Sequence, residues 1–246
     1  MTIQTKGKLR LLAATLFTAA ATFGMASSAH AQRVSPMSYE LAPRGSKTTV
    51  NLAVENTSQT DMTVEFEAYR VTLNPDGTEQ RDLAEDDFLI FPPQTMVPAG
   101  KTQTVRVKYV GEPSIKESVP YRVSVLQVPV RARAEDSGGV GLTVRFNTLA
   151  HIVPDGAKTE LSVSNIRANA SGGWDLDISN SGNRMARLSR TEWEVSGGGK
   201  TEVIPRQEVA RMTDRNLIMP GDKVTLSIPA VAGITPGSAA IRISES

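Results

Sequence analysis

Few residues in this 246-residue chain are able to do covalent chemistry. There is no cysteine, which excludes thiol nucleophiles, disulfide scaffolds and cysteine-bound zinc. Histidine occurs only at His30 and His151, so a Ser-His-Asp relay would depend on His151 alone. Neither a nucleophile elbow nor a phosphate-cradling glycine motif is present. Glu85-Asp86-Asp87 is an acidic run, but no EF-hand spacing surrounds it and it reads as a solvated turn. No enzyme activity, metal or cofactor is expected. Asn56-Thr57-Ser58 and Asn169-Ala170-Ser171 match the glycosylation sequon, a triplet frequent by chance. Lys plus Arg is 27 against 26 for Asp plus Glu, without the basic excess of a nucleic-acid binder.

The chemistry that remains is non-covalent. In residues 140–152, Val140, Leu142, Val144 and Phe146 alternate with Gly141, Thr143, Arg145 and Asn147, so four apolar side chains share one strand face. Their full burial would contribute roughly 6–12 kcal/mol as an upper bound. Alternation alone does not decide whether that face covers its own domain or another chain.

The elements that must position this strand are themselves strands. Lys6, Lys8 and Arg10 followed by an Ala-rich apolar run and Ala29-His30-Ala31 read as a cleavable export signal over residues 1–31. Beyond Gln32, residues 48–55, 62–71, 102–110 and 121–128 alternate with the strand period. Turn signals such as Pro98-Ala99-Gly100 separate them. No stretch has helical periodicity. Residues 161–163, 174–178, 188–195, 223–228 and 239–243 form a second strand series after the turn at Val153-Pro154-Asp155-Gly156. An immunoglobulin-like sandwich takes about 100 residues. The expectation is therefore all-β: two immunoglobulin-like β-sandwich domains, residues 32–154 and 155–246, set in an L with a cleft between them. Trp174 and Trp193 are expected in the second core.

Particular motifs sharpen this. Phe91-Pro92-Pro93 leading to Pro98-Ala99-Gly100 and Val105-Arg106-Val107 resembles a stretch of the PapD-like periplasmic pilus chaperones. So does the segment from Glu117 to Pro129, as do Val34-Ser35-Pro36 and Leu52-Ala53-Val54-Glu55-Asn56. In the second half, Leu176-Asp177-Ile178-Ser179-Asn180 and Leu217-Ile218-Met219-Pro220-Gly221 are similar to the family pattern. The resemblance implies a periplasmic protein that binds pilus or fimbrial subunits (pilins), whose incomplete sandwich exposes an apolar groove. The chaperone closes that groove by strand addition and passes the subunit to an outer-membrane usher. By the same resemblance, residues 140–152 are the donated strand, with Val140, Leu142, Val144 and Phe146 as its apolar contacts. A second copy of the chain, as a self-capping homodimer, is another occupant of that edge.

One expected feature is missing. The family anchors the subunit's terminal carboxylate with an Arg on the first strand and a Lys on the donated strand. Those positions fall near Met37 or Ser38 and at Leu149, and Val153 stands where a further Arg precedes the proline. Arg33, Arg122 and Arg145 are the candidate replacements. The other accounts are a divergent branch that relies on apolar strand addition, or a secreted two-domain binding protein that kept the fold without pilus assembly. His151 shares a face with Leu149 and is expected to be structural.

Overall fold

A computed structural model describes residues 32–74, 76–128, 143–213 and 215–245. The export signal over residues 1–31, and Val140 and Leu142 of the alternating run, lie outside the described residues. Ten strands make the first sandwich: β1 (Arg33–Ser35), β2 (Ser38–Leu41), β3 (Thr49–Glu55), β4 (Met62–Leu73), β5 (Glu79–Leu83), β6 (Phe88–Phe91), β7 (Gln94–Val97), β8 (Thr102–Tyr109), β9 (Val119–Val128) and β10 (Arg145–Ile152). One sheet runs β1-β3-β8-β6; the other runs β2-β10-β9-β4-β5, with β7 also on β4.

The alternation produces the core directly. In β8, Val105, Val107 and Tyr109 are buried while Thr104, Arg106 and Lys108 face water. They meet Leu52 and Val54 of β3, and Val123 and Val125 of β9 across the sandwich. Pro98-Ala99-Gly100 closes the β7–β8 turn, with Lys101 N–H donating to Pro98 O and Gly100 at φ +67°. Glu85-Asp86-Asp87 is a 3₁₀ turn whose Asp87 accepts the Tyr121 hydroxyl at 2.8 Å, a role in packing.

The second sandwich comprises β11 (Leu161–Ala168), β12 (Trp174–Asn180), β13 (Ala186–Arg187), β14 (Thr191–Gly197), β15 (Lys200–Ile204), helix α1 (Arg206–Met212), β16 (Leu217–Ile218), β17 (Lys223–Ile228) and β18 (Ala240–Glu245). Its sheets are β11-β12-β17, β13-β16 and β15-β14-β18. Trp174 and Trp193 are both buried in its core, as their apolar settings require. Helix α1 corrects the expectation of no helix. It spans seven residues and buries only Val209, so it is too short to write a period into the sequence.

The two sandwiches touch along a polar seam. Arg184 Nη2 donates to both carboxylate oxygens of Glu40 at 2.8 Å. Met185 N–H donates to buried Ser118 Oγ at 2.6 Å, and Ser118 N–H donates to Asn183 O at 3.0 Å. The cleft the sequence led us to expect opens beside this seam, with a volume of about 590 Å³.

Candidate functional site

Pro36 has no N–H and breaks the first strand in two. Before it, β1 pairs antiparallel with β3; after it, β2 crosses to the other sheet and pairs in parallel with β10. The β2–β10 pairing starts at Leu149↔Ser38 and ends at Ile152↔Leu41. On its other side β10 pairs with β9 along its whole length, from Arg145↔Leu126 to Ile152↔Val119. The first half of β10, residues 145–148, therefore has a neighbour on one side only among the described residues.

Hydrogen-bond alternation fixes which groups are left over. Gln127 N–H donates to Val144 O, so even-numbered residues of this strand turn their backbone to β9. Leu149 N–H donates to Met37 O and Val153 N–H to Leu41 O, so odd-numbered residues face the β2 side. Arg145 and Asn147 consequently direct their N–H and C=O groups at the open edge.

Side chains alternate with the same period. Thr148, Ala150 and Ile152 are buried in the sandwich, and half-buried Phe146 packs on the cluster of Val64, Val97 and Val125. Val144 lines the same corner. The Phe146 face thus covers the margin of its own domain in the free chain. Thr148 is pinned there, its hydroxyl donating to Val123 O at 2.9 Å and lying 3.2 Å from the Tyr39 hydroxyl.

The opposite face of β10 leads into the cleft between the sandwiches. Glu79, Arg122 and Leu149 line it from the first, and Arg187, Arg215 and Leu217 from the second. Leu149 is buried and stands in register with both Arg122 and Ser38. The three candidate arginines separate here. Arg122 is in the cleft, where its guanidinium binds both carboxylate oxygens of Glu79. Those hydrogen bonds outweigh burial and hold the Glu79 pKa below its ordinary value. Arg33 and Arg145 lie elsewhere, 3.9 Å from Glu55 and Glu67 respectively.

Arg187 was not anticipated. Its Nη2 donates to Ser38 Oγ at 2.7 Å and to His151 Nε2 at 2.9 Å. It makes no ion pair among the described residues, whereas Arg122 has Glu79 and Arg215 has Asp222. Burial, and then the repulsion of Arg190, push its pKa down. Glu40 offsets this only in part and makes no ion pair with it, so Arg187 is a partly desolvated cation facing the cleft. Sequence could not reveal it, because Arg187 lies 149 residues from Ser38. His151, 2% exposed, is driven down to a pKa of about 3 by burial first and then by Arg187, Arg190, Arg122 and Arg184.

These features define a two-domain, immunoglobulin-like protein with a half-open edge strand leading to a basic cleft. Residues 38–157 match the family model for the pili and flagellar-assembly chaperone PapD N-terminal domain. Among solved structures, the class 5 fimbriae chaperone CfaA is similar at 15% identity and TM-score 0.55, over 88% of this chain and 100% of that one. The Escherichia coli chaperone DraB is 18% identical with TM-score 0.54, over 88% and 96% of the two chains. A chain of the Salmonella enterica SafA pilin–SafB chaperone complex is 17% identical with TM-score 0.55, over 83% and 86%. No curated protein sequence matches this chain. On this match, residues 38–157 belong with the PapD-like N-terminal domains, and the chain as a whole has the fold of these two-domain chaperones.

Proposed function

We propose that this chain, acting in the periplasm, holds an exported pilus or fimbrial subunit by strand addition at β10 and passes it to an outer-membrane usher. The observation that carries this reading is the half-open edge: Arg145 and Asn147 present backbone groups that β2 covers only from Leu149 onward. An extended segment laid against them would continue the line of β2, with main-chain hydrogen bonds giving affinity. An added strand also extends the inner face of the sheet, so Val144 and Phe146 at the margin would be covered by the subunit's own core. In this register the end of the added strand reaches Met37 and the mouth of the cleft. Arg187, with Arg122 beside it, would take the subunit's terminal carboxylate there, in place of Arg33 or Arg145.

Asn147→Pro tests this. The Asn147 N–H points to the open edge, so proline removes no ladder bond of the chaperone itself. The variant loses the Ser124–Asn147 side-chain contact, worth about 1 kcal/mol. When the chain is co-expressed with an exported immunoglobulin-like fimbrial subunit, Asn147→Pro should abolish co-purification while melting within a few degrees of wild type. Phe146→Pro, which breaks a bond to β9, should instead melt far lower. Undiminished capture by Asn147→Pro overturns the reading.

A further inference from the structure

Arg187 reaches the first sandwich through one nitrogen. The two hydrogens of Nη2 go to Ser38 Oγ and His151 Nε2, and the remaining guanidinium N–H groups have no partner among the described residues. An arginine only donates, so Nε2 of His151 must be the bare acceptor and its proton must sit on Nδ1. Nδ1 is buried and has no hydrogen-bond partner among the described residues. An unpaired buried N–H is a penalty that an apolar residue at position 151 would avoid. Stability alone therefore does not explain a histidine here.

We propose that His151 is a positioning residue: together with Ser38 it fixes the Arg187 guanidinium so that its remaining N–H groups meet a carboxylate in the cleft. This rests on the carboxylate reading of the cleft given above. The charged groups around the imidazole are Arg122 on β9, Arg184, Arg187 and Arg190 around β13, Glu40 on β2 and Glu245 on β18. Burial first, and then four cations against two carboxylates, keep the ring neutral, so Nε2 remains an acceptor across the ordinary pH range. Without that acceptor the arginine would be free to turn toward Glu40.

The test uses a short synthetic peptide of alternating threonine and valine, prepared with a free terminal carboxylate and again as the terminal amide. Both affinities are measured for the full chain and its variants. Wild type should prefer the carboxylate about tenfold, the scale of one charge-assisted hydrogen bond. His151→Leu should bring that preference to about twofold or less while leaving amide binding unchanged. His151→Gln, whose carbonyl is able to accept from Arg187, should stay near tenfold. A His151→Leu variant that keeps the preference, or one that loses both peptides equally, overturns the positioning role. Equal binding of the two peptides by wild type overturns the carboxylate reading itself, and the role of His151 with it.

Discussion

His151 is the one histidine among the described residues, which makes its protonation separately measurable. Folded, its pKa lies near 3; unfolded, it returns to the ordinary value near 6.5. Between those values the unfolded chain takes up a proton that the native chain refuses, so stability falls as pH falls. The slope approaches about 1.4 kcal/mol per pH unit once the unfolded histidine is mostly protonated. The carboxylates with lowered pKa values, Asp76, Glu79, Asp175 and Asp177, behave separately. Their contributions are present above the unfolded pKa near 4 and are lost only below it. The window from pH 6.5 to 5 thus belongs to His151. Denaturant titrations should show wild type losing stability across it, and His151→Gln should remove the loss; a flat wild-type profile would contradict a buried neutral ring. At this scale the sequence told half the story. A lone histidine sharing a face with Leu149 was legible as structural, because strand alternation is local. The partner that gives it purpose, Arg187, comes from the other sandwich, and no local pattern marks it.

Individual strands were easier to read, and the reason is burial. Residues 48–55, 102–110 and 121–128 alternate in sequence because one face of each is in the core, and their strands lie within two residues of the expected bounds. Strands β5 and β15 were missed because almost every side chain in Glu79–Leu83 and Lys200–Ile204 faces solvent. Two asparagines carry a repeated device that the strand reading passed over. Asn56, at the end of β3, donates to Thr60 O and Val97 O while its carbonyl accepts from Ser58 N–H and Oγ. Asn180, at the end of β12, donates to Arg184 O and Ile218 O and accepts from Glu160 N–H and Gly182 N–H. Both follow the pattern Leu-x-(Val or Ile)-x-Asn, which is the written trace of two sandwiches built alike. The Asn56 amide is buried and fully bonded, so its sequon is structural. Replacing either asparagine by alanine strands several backbone groups, and each change should destabilise its own sandwich by about 2–4 kcal/mol. Domain-resolved hydrogen exchange checks this: Asn56→Ala should accelerate exchange in β3 and β8, and Asn180→Ala in β12 and β17. Equal acceleration in both sandwiches would show the braces to be shared.

For the whole molecule the decisive quantity is how firmly the second sandwich holds Arg187 against Ser38 and His151. The Arg184–Glu40 pair is partly exposed, so solvent screening leaves it at most about 1 kcal/mol. Ser118 is different. It is 3% exposed, and both its hydroxyl and its N–H bond the segment just before β13. Ser118→Ala leaves the Met185 N–H buried without an acceptor, a penalty of about 1–3 kcal/mol that falls wholly on the docked arrangement. It adds nothing to the unfolding of either sandwich taken alone. Wild type should therefore melt in one calorimetric transition, Ser118→Ala in two overlapping ones, and Glu40→Gln much as wild type does. Because β13 carries Arg187, the same Ser118→Ala change should also weaken the preference for a terminal carboxylate although it touches no ligand. A single unshifted transition in Ser118→Ala would place the coupling elsewhere along the seam, and the cleft would then owe its geometry to the arginines themselves.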